Sequence, residues 1–227
     1  GLPDGRLMLF LGPPLNQTPS NQPRLHIFDV DFEHLGAFGT PDDWDLPDDR
    51  FSRHLMETPI VFAASHVTPG TERLVLAPTL YNGTLYRYAV DNEIWSVEQV
   101  SGQAPGHPTH DVVESTEDTF SLFTSAGVGA RYRSTSKGIV QRDDGSIVHL
   151  STTEDESGGR QLQLEVFEDD GALQRVGSIP EFEHTETSFD AVNKAVDVSL
   201  LWIDTNDRLY LDDRRDGAPV IRVVKIQ

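Results

Sequence analysis

The chain has 227 residues, with 18 Lys plus Arg against 37 Asp plus Glu, for a formal charge of -19. That balance repels phosphate backbones and anionic headgroups, which excludes nucleic acid and leaves proteins, sugars, cations or small molecules as partners. The chain has no cysteine, so disulfide scaffolds, thiol nucleophiles and zinc ribbons are excluded. Its longest apolar run, Leu7 to Leu11, is far short of the ~20 residues of a membrane-spanning helix.

Short β-rich runs bounded by Gly, Pro, Asp or Asn recur along the chain, with no sustained helical periodicity. The predicted strands begin with Arg6 to Leu11, Arg24 to Val30, Pro59 to Ser65, Arg73 to Leu80, Leu85 to Val90 and Ile94 to Val100. They continue with Phe120 to Thr124, Gly138 to Gln141, Ser146 to Ser151, Gln161 to Phe167 and Leu173 to Ile179. Val198 to Asp204, Arg208 to Leu211 and Val220 to Ile226 complete the set. Alternation is plainest in Gln161 to Phe167, which sets Leu162, Leu164 and Val166 on one pleat face and polar residues on the other.

The hairpins repeat. Arg24 to Asp31 with its return Phe32 to Phe38 has counterparts in Thr84 to Asp91 with Glu93 to Val97, and in Leu162 to Asp169 with Ala172 to Gly177. Their aromatics Phe28, Tyr88 and Phe167 are 60 and then 79 residues apart, a long and elastic period. A second element, an acidic or Gly turn followed by a strand, occurs at Pro3 to Phe10, Asp143 to Leu150 and Asp204 to Leu211, and more weakly at Glu72 to Leu76. Together these describe a four-stranded meander repeated in series, the pattern of a β-propeller blade. The fold expected is all-β, one domain over residues 1–227, a β-propeller or propeller fragment with about four blades visible: three complete and two half-blades at the ends, which fits either four blades or a fragment of six. Val220 to Ile226 reads as a third strand without its fourth, and Pro3 to Phe10 as a second strand without its first. The native polypeptide is therefore expected to extend before Gly1 by roughly one to two blades.

The phrases Pro3-Asp-Gly-Arg-Leu7, Leu25-His-Ile-Phe-Asp-Val-Asp31, Leu164-Glu-Val-Phe-Glu-Asp-Asp-Gly171 and Asn206-Asp-Arg-Leu-Tyr-Leu211 resemble the secreted and lipoprotein six-bladed β-propellers of the NHL and TolB-like groups. The resemblance covers most of the chain and is one of repeat style. It implies an extracytoplasmic location, periplasmic or secreted, and says little about function. Related propeller lactonases hold a cation with a Glu, Asn and Asp set, which has no placement here; Asn193 and Asn206 are the only asparagines of the last third.

Candidate chemistry has a bland reading at each position. His107 and His110 sit beside Pro and Gly in a predicted loop before Asp111, without the helical spacing of a metal-binding histidine pair. His26, His66 and His149 are read as falling inside strands, as satisfied or half-exposed β residues. The acidic turns at Asp29 to Asp31, Asp143 to Gly145, Asp169 to Gly171 and Asp204 to Asn206 lack calcium-loop spacing and suit tight hairpins. Ser125-Ala-Gly-Val-Gly129 is neither a nucleophile elbow nor a dinucleotide loop. Asn82-Gly83 reads as a hairpin turn rather than as part of a glycosylation sequon. No catalytic residue, metal or cofactor is assigned.

One segment interrupts the repeat. Pro41 to Arg50 places Asp42, Asp43, Asp45, Asp48 and Asp49 around Trp44 between two prolines. A solvated crossing between blades is the plain account; the functional one is a partner contact anchored by Trp44, whose replacement by Ala would weaken binding and spare folding. The expected function is a non-catalytic extracytoplasmic binding or assembly module that contacts a protein partner, as an accessory subunit of a membrane-associated complex does. The rival is a propeller hydrolase or lyase of lactonase type with a cation in its central channel.

Overall fold

The computed structural model describes residues 5–11, 21–44, 59–65, 73–78, 81, 83–91, 94–100, 111–114, 128–131, 134–154, 160–179, 198–215 and 217–226. These residues form an all-β, antiparallel structure with no α-helix among them. Sheet I is the meander β1 (Leu7–Phe10), β2 (Leu25–Phe28) and β3 (His34–Phe38). Sheet II is β4 (Pro59–Ser65), β5 (Arg73–Pro78), β6 (Leu85–Asp91) and β7 (Ile94–Val100). Sheet III pairs β8 (Asp111–Glu114) with β9 (Val128–Arg131). Sheet IV is β10 (Thr135–Gln141), β11 (Ile147–Glu154), β12 (Arg160–Phe167) and β13 (Leu173–Ser178). Sheet V is β14 (Val198–Ile203), β15 (Arg208–Asp213) and β16 (Val220–Lys225).

Within each sheet the strands pair in sequence order, and short acidic turns close four of the hairpins among the described residues. Arg142 N to Ser146 O, Glu168 N to Ala172 O, Asp204 N to Arg208 O and Asp29 N to Glu33 O close hairpin turns of one geometry, at 2.8 to 3.1 Å. The acidic side chains hold these turns from within. Asp29 Oδ1 accepts from the amides of Asp31 and Glu33, Asp144 Oδ1 from that of Ser146, Asp170 Oδ1 from that of Ala172, and Asp204 Oδ1 from those of Asn206 and Arg208. Asn82 of the expected Asn82-Gly83 turn lies outside the described residues; Gly83 takes a positive φ of 94°.

Sheets I, II, IV and V stack face to face in that order. Leu25, Ile27 and Phe38 of sheet I pack with Leu74, Leu76, Tyr86 and Tyr88 of sheet II. The opposite face of sheet II presents Val75, Ala77 and Leu85 to Ile139, Ile147 and Phe167 of sheet IV. Leu150, Leu162, Leu164 and Val166 on the far face of sheet IV meet Val198, Leu200, Leu209 and Leu211 of sheet V. Each central sheet therefore buries both faces, by alternating its residues between two neighbours. The strand β10 runs beside both β4 and β14. At Gly138 (φ +146°) a Cβ would lie 2.7 Å from Leu200 Cβ and from Leu200 O, so β14 approaches β10 as closely as it does only because this residue is glycine.

The meander and the leucine face of β12 are as expected, and the polar face of β12 meets Tyr81 of sheet II. The structure adds β8 and β9 and starts β10 at Thr135, earlier than the sequence suggested. Phe120 to Thr124 lies outside the described residues. The strands β1 and β16 belong to different sheets and do not pair with each other.

Trp44 requires a correction. It follows a 3-10 turn at Pro41–Asp43 and is 6% exposed, packed in the core between sheets I and II, with its indole N–H donated to the Tyr88 hydroxyl. Its ring is enclosed because the turn folds back over Tyr86 and Tyr88 instead of projecting outward. It is not an exposed anchor.

Candidate functional site

The densest polar arrangement lies between sheets II and IV. Antiparallel pairing sets His149 on β11 opposite Glu165 on β12, while β10 brings Ser136 alongside; all three are fully buried at 0% exposure. The carboxylate of Glu165 gathers four donors: the Tyr81 hydroxyl at 2.6 Å, His149 Nδ1 at 2.9 Å, Gln163 Nε2 at 2.9 Å and Ser151 Oγ at 3.3 Å. The other imidazole nitrogen, His149 Nε2, lies 3.0 Å from Ser136 Oγ, and the Tyr81 ring packs against the imidazole at 4.3 Å. A buried carboxylate is tolerated when its lone pairs are filled in this way. Burial raises the Tyr81 phenol well above its ordinary range, and the Glu165 charge and hydrogen bond add to the effect, so Tyr81 remains a donor.

Ser136, His149 and Glu165 share the bonding order of a nucleophile, base and acid relay. With Ser136 at 0% exposure, no acyl group reaches its hydroxyl. The cluster's chemistry here is cohesion: it ties the loop bearing Tyr81 in sheet II to three strands of sheet IV. Ion pairs on the surface continue the tie. Arg73 of sheet II pairs with Asp169 of sheet IV at 3.2 Å, Arg87 donates to the Asp169 carbonyl, and Arg142 of sheet IV pairs with Asp207 of sheet V at 2.7 Å.

The surface offers a different opportunity. Sheets I and V each have one face with no neighbouring sheet among the described residues. On sheet V that face exposes Leu201, Trp202, Ile221 and Val223, with Trp202 at 58%, bordered by Arg208 and Lys225. On sheet I, Leu9, Leu11 and Leu35 are exposed, and Val30 (69%) and Phe32 (71%) stand at the β2–β3 turn. Beside them His26 Nδ1 lies 3.1 Å from His34 Nε2. Among the described residues, exposed large apolar side chains are concentrated on these two faces.

The sequence candidates are dispersed. Asp42 and Asp43 are exposed, Asp42 held by the Asn21 side chain and Asp43 accepting from the Thr40 amide at 2.7 Å, whereas Trp44 is buried beneath them. Asp45, Asp48 and Asp49 lie outside the described residues, as do His66, His107, His110 and Asn193. Among the described residues no three His, Asp or Glu side chains converge as metal ligands. Sequence reasoning missed Tyr81, Glu165, Phe32 and Trp202. Of these, only Phe32 carried a signal: the matching turn has Gly171 in its place. No protein-family model matches the chain, and no curated protein matches it.

Proposed function

We propose that the stacked meanders are blades of a β-propeller and that the protein is a non-catalytic, extracytoplasmic binding or assembly module whose partner is another protein, in the manner of an accessory subunit of a membrane-associated complex. The observation that carries the reading is the pair of apolar faces on sheets I and V, where Leu9, Leu35, Trp202, Ile221 and Val223 are 38% exposed or more. Two further features support the propeller: consecutive meanders packed face to face, and the central position of β10 between β4 and β14. The Ser136, His149 and Glu165 relay among the described residues is sealed inside a sheet interface, which favours binding over turnover.

The test is purification of the tagged protein from its native host in mild detergent, followed by native mass spectrometry. A defined complex that dissociates when Trp202→Glu is introduced supports the reading. A protein recovered alone, or one that hydrolyses lactones only with a divalent cation present, overturns it.

A further inference from the structure

The four acidic hairpin turns share one geometry, and in each the fourth residue has a positive φ: Gly145 (89°), Gly171 (89°), Asp207 (58°) and Phe32 (62°). Glycine takes this conformation freely and Asp tolerates it, but an aromatic side chain there is an outlier that costs backbone energy. Burial gives nothing back at Phe32, which is 71% exposed, nor at its neighbour Val30, at 69%. In the sister turn of sheet IV the same two positions are Asp169 and Gly171. Backbone strain of this kind is kept where the residue serves a function, and a solvent-facing aromatic serves one by contact.

We propose that Val30 and Phe32 form a docking knob that enters an apolar pocket on a partner protein, a pocket bordered by Lys or Arg. This rests on the protein-binding reading above and names where that contact is made. The knob is held in shape before binding, since the Asp29 carboxylate is bonded to the amides of Asp31 and Glu33, so little ordering remains to be done on contact. Asp31 and Glu33 are exposed on either side of Phe32, and the whole chain carries a charge of -19. Their field selects a cationic rim and repels anionic lipid. Leu35, 55% exposed on β3, extends the apolar contact along the strand.

The experiment places photoreactive p-benzoylphenylalanine at position 32, at position 202 and, as a control, at Val176, in the full chain in its native host. Crosslinked peptides are then mapped by mass spectrometry. The expected result is an adduct from position 32 to a protein segment combining apolar residues with Lys or Arg, reduced ~10-fold or more by Val30→Asp. An adduct to lipid, to a second copy of this chain, or to the same peptides seen from position 176 overturns the proposal, as does binding of the pure protein to phosphatidylglycerol vesicles. Adducts from position 202 alone leave the protein-binding reading standing and remove the knob; adducts from neither position remove both. Independently, Phe32→Gly is expected to raise the melting temperature while abolishing the adduct of a probe moved to position 35. A lowered melting temperature would show that Phe32 serves the fold and would overturn the idea.

Discussion

The Tyr81 hydroxyl donates to Glu165 Oε2 at 2.6 Å, a bond between residues 84 apart that joins the β5–β6 link of sheet II to the third strand of sheet IV. Removing that one oxygen leaves a buried carboxylate short of a donor. Tyr81→Phe is expected to lower stability by about 1 to 3 kcal/mol in urea unfolding. It also changes the alkaline limb. The phenol's folded pKa is raised, so above about pH 10 the unfolded chain loses its proton first and wild-type stability falls as pH rises. The variant loses that part of the slope.

Trp44 fills the core between sheets I and II and bonds to Tyr88. Trp44→Ala is expected to cost about 3 to 5 kcal/mol, read as a shift in the urea midpoint with little change in slope. An unchanged midpoint would mean that the ring packs outside the core.

Asp213 is gripped by Arg215 and Arg222, whose hydrogen bonds outweigh the cost of burial and hold its carboxyl well below the usual carboxylate range. Its folded pKa is depressed, so the stability it contributes is present above about pH 4 and is lost as pH falls below that value. Asp213→Asn should flatten the dependence of the unfolding midpoint on pH between about 2 and 4 while leaving the alkaline side unchanged.

Gly138→Ala brings a methyl group to 2.7 Å from Leu200 Cβ and from the backbone oxygen of Leu200, so the chain of β14 itself must shift. A loss of roughly 2 kcal/mol or more is expected, with amide exchange in β14 rising more than in β6. Equal effects in both strands would place the strain elsewhere.

How much of this was legible in the sequence depended on whether the signal was local. The acidic turns and the alternation in β12 were readable because turn chemistry and pleat period act within a few residues. The environment of Glu165 was not, since alternation says which residues share a face and not what covers it; here the polar face of β12 meets Tyr81 from a distant loop. Trp44 was misplaced for the same reason. An Asp-rich segment reads as solvated, yet its one aromatic turned inward against Tyr86 and Tyr88, which lie over forty residues away. The exposure of Trp202 carried no local signal, because Val198 to Asp204 reads as an apolar strand whichever of its faces a neighbouring sheet covers.

The three apolar clusters each join only two adjacent sheets, I with II, II with IV, and IV with V. Among the described residues, cooperativity is therefore handed from one sheet to the next. Sheets II and IV each contribute to two of these clusters and sheets I and V to one, so amide exchange is expected to be slowest in β11 and β12, around Glu165. Any partner that caps an end sheet therefore protects the whole series behind it.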